Sequence, residues 1–154
     1  MTDSLIQFSK FASSFNQNEE TKVASLQDIK YLETTLNIIL PQDFKLFMHQ
    51  YGNLWTPDIL DIIEDHDIDM NDIQEFWSVD EIIDDKKEGF TNAISEDLIP
   101  FATDCMGNIY GFKTRDLKFQ RATAEVFFFD HDFDEVTRIA DSFTAFIEKF
   151  NSLI

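Results

Sequence analysis

Two stretches of this chain place carboxylates and histidine at spacings that metal or acid–base chemistry uses. Residues 126–136 read VFFFDHDFDEV, and residues 65–76 read DHDIDMNDIQEF. In the second, Asp65, Asp67, Asp69 and Asn71 alternate like the first ligands of a calcium-binding loop. Such a loop needs glycine at its sixth place for a sharp turn and a bidentate glutamate at its twelfth. This chain has Met70 and Phe76 there, with Glu75 one place early. Both failures fall on the positions that geometry constrains most, so the stretch reads as a solvated acidic loop. The first stretch fails in the same way: with Asp130, Asp132 and Asp134 aligned as ligands, Glu135 stands where the glycine should be.

His-Asp occurs twice, at 66–67 and 131–132, which raises the idea of a metal-dependent phosphohydrolase. That chemistry needs further His and Asp ligands converging from helices, and of the histidines His49 alone remains. Cys105 becomes a nucleophile only with a base aimed at it, and nothing adjacent in sequence marks one. The chain carries no Gly-rich phosphate loop, no GxSxG and no paired-cysteine motif. No catalytic residue, metal or cofactor is therefore expected. VFFF then reads as a buried strand, and the acids after it as the polar tail that turns the chain toward the last helix. Asp130 and His131 are expected to bond to backbone or to each other. A buried Asp–His pair is also a common catalytic part, which stays open as the alternative.

Charge narrows the choice of partner. Thirty acids face twelve bases, a formal net charge of -18. Nucleic-acid affinity rests on Lys and Arg neutralising phosphates, so direct binding of nucleic acid is not expected. A membrane surface rich in anionic lipid is disfavoured by the same sign. The excess is uneven: residues 56–88 hold thirteen acids against two bases, more than half of the total imbalance. This density serves either solubility or a surface made for a basic partner. A length of 154 residues suits one domain, taken as residues 1–154. Hydrophobic residues make up 44% of it, with 17 phenylalanines, which is ample for a packed core. No apolar run approaches the ~20 residues a membrane span needs, and the N-terminus lacks the pattern of a secretory signal. With one cysteine there is no internal disulfide, so a soluble cytoplasmic protein is expected.

The elements that must position these residues follow from periodicity and punctuation. Leu5, Ile6, Phe8, Phe11, Ala12 and Phe15 fall at helical spacing. Ser25 and Asp28 resemble a capping box before a stripe of Leu26, Ile29, Leu32 and Leu36. Pro41 suits the first turn of a helix whose face is Phe44, Phe47, Met48 and Tyr51, closed by Gly52 in the left-handed region. The short runs 59–63 and 73–77, rich in β-branched and aromatic residues, predict strands. Ser78 and Glu81 cap a helix over 79–88 that ends at Gly89. Strands are predicted at 98–104, 108–114 and 124–130, with a tight turn at Met106-Gly107 and a longer polar loop over 113–124. Asp141 or Ser142 caps a last helix with Phe143, Phe146, Ile147 and Phe150 on one face. Helices, a strand meander and a closing helix predict an α+β fold.

Three stretches together resemble one family: IKYLETTLNIILPQDFKLFMHQYGN at 29–53, LIPFATDCMGNIYGF at 98–112, and VFFFDHDFDEVTRIADSFTAFIEKF at 126–150. Their order is similar to that of the SUKH superfamily, in the branch of the fungal SMI/KNR cell-wall regulators. The residues that carry the likeness are Leu40-Pro41, Phe44-Lys45, Tyr51-Gly52, Asp104, Gly107-Asn108, Asp130-His131 and Ala140 through Phe143, with Ser142 among them. Residues 54–97 and the helix before residue 20 depart from the family outline. The resemblance implies a curved, mostly antiparallel sheet flanked by N-terminal helices and a C-terminal helix. It also implies action by binding, with no catalytic residue to carry over. Bacterial members are typically immunity proteins encoded beside polymorphic toxins, often nucleases or other nucleic-acid-modifying enzymes. Fungal members serve as scaffolds in cell-wall signalling.

The expectation is thus an immunity protein that neutralises a cognate toxin by occupying a basic surface in place of phosphates. The rival is a non-catalytic regulatory scaffold or peptide-binding module. The candidate contact residues are Asp58, Asp61, Glu64, Asp65, Asp67, Asp69, Asp72 and Glu75, all expected to be solvated. Trp55 and Trp77 bracket the segment and serve either as interface anchors or as core.

Overall fold

Three helices begin at a capping serine, Ser25, Ser78 or Ser142, and two end at a left-handed residue, Asn37 or Gly89. The computed structural model describes residues 2–89 and 97–154. Helix α1 spans Thr2–Phe15, α2 Leu26–Leu36 and α3 Gln42–Gln50. The expected capping box of α2 is present: Asp28 N–H donates to Ser25 Oγ and Ser25 N–H to Asp28 Oδ2, each at 3.0 Å. Pro41 stands one place earlier than predicted, as the N-cap of α3 rather than within its first turn. Beyond α3, Gly52 takes a φ of 72°. Helix α4 spans Asp58–Asp65 and α5 Val79–Glu88, the latter between the predicted Ser78–Glu81 box and a left-handed Gly89. The last helix, α6, spans Phe143–Asn151, and Ser142 rather than Asp141 is its cap, accepting from Ala145 N–H at 3.0 Å.

One strand before α5 and four between α5 and α6 form an antiparallel sheet whose spatial order is its sequence order. Strand β1 is Glu75–Phe76, β2 Leu98–Thr103, β3 Ile109–Lys113, β4 Val126–Asp130 and β5 Glu135–Ala140. The three predicted strands are therefore β2, β3 and β4, adjacent and antiparallel as expected. Of the predicted strand 73–77 only two residues pair. The polar loop after β3 contains a 3-10 turn at Thr114–Leu117.

The run 59–63, expected as a strand, is instead the core of α4. Ile59 and Ile63 are buried and Ile62 is half-buried, while Asp58, Asp61, Glu64 and Asp65 face water. This i, i+3, i+4 stripe outweighs the β preference of isoleucine, because burial of one helical face decides over intrinsic propensity. The tail of VFFFDHDFDEV also differs from expectation. It is a hairpin turn that leads into β5, not a connection to the last helix. Asp130 Oδ1 accepts from the backbone N–H groups of Asp132 and Phe133 at 3.0 and 3.4 Å, and Asp134 adopts a φ of 52°. Polar residues on β5 hid it, since its first four are exposed.

One core unites all six described helices with a single face of the sheet. Phe8, Phe11, Phe15, Phe47, Phe101, Phe112, Phe143 and Phe146 are its largest fully buried side chains. Tyr110 and Phe128 are register partners on that face, with ring centroids 5.0 Å apart. On the opposite face Leu98, Ile109, Phe127 and Phe129 form a second buried cluster. The unbroken VFFF run thus has apolar surroundings on both sides of β4, as a doubly covered strand requires. Leu5, Ile6 and Leu26, which shared the predicted helical stripes, are exposed instead.

A buried carboxylate ties α3 to α6. Asp43 is 2% exposed. Its Oδ2 accepts from Thr144 N–H and Thr144 O–H at 3.0 and 2.9 Å, and Oδ1 from Phe44 N–H at 2.8 Å. Burial pushes its pKa above the ordinary 3.8, against those three lowering bonds. Asp43→Ala is expected to cost about 1–3 kcal/mol, the range for leaving buried donors unpaired. A raised folded-state pKa means that the native state binds the proton more tightly than the unfolded chain. The contribution of Asp43 is then fullest below pH 3.8 and falls as pH rises through the folded pKa. Denaturation of wild type and variant across that window should show the gap narrowing upward. A gap that widens with pH would contradict the assignment.

A candidate acidic interface

Residues 55–88 carry two acidic faces. Helix α4 turns Asp58, Asp61, Glu64 and Asp65 outward, and the loop after it exposes Asp67 and Asp69. Asp67 holds a φ of 50°, uncommon for a residue with a side chain. Gln17 donates to Asp58. Asp72 departs from the expected pattern: it is 3% exposed and serves the fold. Its carboxylate accepts from Cys105 N–H at 3.2 Å and Gln74 Nε2 at 2.9 Å, while its carbonyl accepts from the Tyr110 hydroxyl at 2.8 Å. The next residue, Ile73, is fully buried, which carries Asp72 inward with it.

The second face was partly missed by sequence reasoning. Glu75 and Trp77 join Glu81, Asp84, Asp85 and Glu88 of α5 around an open cleft of about 480 Å³. The α5 acids follow an i, i+3, i+4, i+7 spacing opposite buried Val79, Ile82 and Ile83, so their common face was readable from the predicted helix. What was not readable is Glu75 arriving beside them on β1. Burial, and then the charge of Glu81, push the Glu75 carboxyl up. Trp77 is half-buried against the core, and its backbone N–H donates to Phe101 O at 2.8 Å. Trp55 is 45% exposed and forms an isolated bridge with Glu75. The two tryptophans thus differ: Trp77 is partly core, and Trp55 offers its ring to solvent.

Several of the residues that looked like chemistry hold turns, whereas Asp65, His66, Asp67 and Asp69 are exposed. Asp104 closes the β2–β3 hairpin, accepting from Met106 N–H, Asn108 N–H and Asn108 Nδ2 within 3.0 Å. Gly107 supplies the left-handed residue of that turn. Asn108 Oδ1 in turn meets His131 N–H at 3.1 Å and His131 Nδ1 at 2.7 Å. His131 Nε2 lies 3.4 Å from Asp132. His131 therefore bonds Asn108 and lies near Asp132, and Asp130 bonds backbone, the first of the two expected arrangements. His49 Nδ1 lies 2.8 Å from the Ala24 carbonyl. Partial burial, and then Asp72 and Asp104, push the Cys105 thiol up to about 11, which keeps it protonated at neutral pH. Among the described residues no group of three or more His, Cys, Asp or Glu is placed to hold a metal ion.

A family model described as SMI1 / KNR4 family (SUKH-1) matches residues 23–149. The chain belongs to this family. The match runs from just before α2 into α6 and includes both acidic faces. Helix α1 precedes it, yet packs Phe8 against Phe143 and Phe11 against Phe150 of the SUKH-1 core. No curated protein matched the chain in a direct comparison. Among the described residues, no helix of this SUKH-1 chain is long and apolar enough to cross a membrane.

Proposed function

We propose that this SUKH-1 domain is an immunity protein that binds and neutralises a cognate polymorphic toxin, a nuclease or other nucleic-acid-modifying enzyme with a basic surface. The observation that carries the reading is the exposure of acids on α4, the 67–69 loop and the α5 cleft within a family member of this charge. Like charges set this close repel one another in the free protein. A cationic partner relieves that repulsion, speeds encounter and selects against wrong partners. The domain acts by stoichiometric binding rather than turnover. The engagement of His131 with Asn108 and Asp132, and the raised Cys105 thiol, support that choice. Asp72 is left out of the contact because its carboxylate is already bonded inside.

The test pairs the purified domain with the toxin domain encoded beside its gene. Triple replacement Asp65→Lys, Asp67→Lys and Asp69→Lys is expected to weaken binding about tenfold to a hundredfold, the lower part of the range for interfacial charge pairs. Folding should change little, because these side chains are exposed. Wild-type affinity should also fall as salt shortens the Debye length from ~10 Å at 0.1 M to ~3 Å at 1 M. Titration calorimetry at two salt concentrations reads both effects. Indifference to salt and to the triple replacement would move the interface away from these acids.

A further inference from the structure

A hydrophobic cleft of about 400 Å³ opens beside the acidic loop, between the sheet and α6. Its walls are Met70, Tyr110, Phe128, Ile139, Phe146 and Phe150. The aromatic floor is rigidly held. Tyr110 and Phe146 have ring centroids 5.0 Å apart, Phe146 and Phe150 5.2 Å, and the Tyr110 hydroxyl is anchored on the Asp72 carbonyl. The volume falls in the range of pockets that enclose a ligand group, roughly 300–1,000 Å³. Asp69 lines the cleft, and the exposed Asp65 and Asp67 precede it in the chain. Lys149 stands at the cleft as well, with its amine on the Ile139 carbonyl.

We infer that this cleft receives an aromatic side chain of the basic partner, flanked in the partner's sequence by lysine or arginine. The inference rests on the reading of the domain as a binder of a basic protein, and it names where the apolar part of that contact sits. Charges steer and select, but affinity concentrates in desolvated apolar anchors set in pockets. Trp55 and Trp77 were the candidate anchors from sequence, as knobs of this chain, with core packing as the alternative. The structure offers a socket instead, lined by one carboxylate, Asp69, and by Lys149. A basic residue on the Asp69 side of the cleft would meet an opposite charge and an acidic one a like charge, while the Lys149 amine is held on the Ile139 carbonyl.

The probe is the peptide acetyl-Lys-Phe-Lys-amide, titrated into the full ¹⁵N-labelled chain and followed by amide chemical shifts. Saturable shifts are expected at residues 69–71, 139 and 149–150. Acetyl-Lys-Ala-Lys-amide and acetyl-Glu-Phe-Glu-amide should each bind about tenfold more weakly, one lacking the anchor and the other the charge match. Met70→Trp, which fills the cleft, and Ile139→Lys, which puts a cation in its wall, should each abolish those shifts. Both positions are half-exposed, and an unchanged amide spectrum elsewhere verifies folding. Equal binding of the phenylalanine and alanine peptides, or shifts that survive both replacements, would overturn the inference. So would saturation by N-acetyl-tryptophanamide with no gain from flanking lysines, which would assign a small apolar ligand. Concentration-dependent self-association blocked by Met70→Trp would likewise overturn it in favour of a second copy. With the toxin itself, equal affinity for wild type and both cleft variants would remove the cleft but keep the immunity reading. A toxin that fails to bind wild type would remove that reading and leave the peptides to decide the cleft.

Discussion

Phe143→Ala is expected to remove about 3–5 kcal/mol of stability, the range for truncating a fully buried aromatic ring. Single domains hold about 5–15 kcal/mol in all, so the variant would sit near the edge of folding. Phe143 is 0% exposed and lies at the centre of the aromatic core. Its ring centroid is 4.9 Å from those of Phe44 and Phe47, 5.3 Å from Phe101, 5.6 Å from Phe8 and 6.0 Å from Phe146. These partners come from α1, α3, β2 and α6, so truncation leaves a void bounded by elements that cannot all close on it. Rings around it also lose edge-to-face contacts worth about 0.5–1.5 kcal/mol each beyond area burial. Phe143→Leu retains most of the volume and should cost less than half as much. Urea denaturation of the three proteins gives the comparison. A loss below about 1 kcal/mol for the alanine variant would mean that the core collapses freely there, contrary to close packing.

Gly52→Ala is the second large effect, at about 2–5 kcal/mol. Two causes add. The residue has a φ of 72°, where a Cβ costs about 1–2 kcal/mol. The added Cβ would also lie 2.2 Å from Lys22 O, 2.6 Å from Lys22 C and 2.9 Å from Val23 N. Those are backbone atoms of the segment leading into α2, so no side chain can rotate away. That segment is itself pinned, with Lys22 N–H on Asn53 Oδ1 at 2.5 Å and Ala24 N–H on Met48 O at 2.9 Å. Gly89→Ala is the internal control. Gly89 has a φ of 80°, and no described atom lies within 4 Å of its added Cβ. It should show only the conformational cost. Thermal or urea unfolding of both variants separates the two causes, and equal losses at Gly52 and Gly89 would discard the backbone contact as a source of instability.

The glycine pair shows where sequence reading stops. Both glycines were placed as left-handed helix ends from local pattern alone, and both are. That Gly52 must also admit the backbone of Lys22 is a contact thirty residues away in the chain, which no local pattern encodes. The same boundary runs through the rest of the molecule. Capping residues Ser25, Ser78 and Ser142, the Asp104–Asn108 hairpin and the strands β2 to β4 were legible, because each is fixed by neighbours a few residues apart. Family membership was legible too, since it rests on the order of those local features. Helix α4 was misread: a run of five residues with four Ile or Leu is compatible with either element, and packing of Ile59 and Ile63 into the core made the choice. Strand β5 was missed because it is polar and gains its definition from pairing with β4. Tertiary structure also sorted the acids. It sent Asp72 inward on the back of Ile73, brought Glu75 beside the acids of α5, and set Asp69 at the mouth of an aromatic cleft. Charge density is a property of composition, so the sequence alone determined that this chain is strongly acidic, most of all over residues 56–88. Which of those carboxylates face water, and which apolar hollow lies near them, depends on burial and on elements distant in sequence, and only folding decides that.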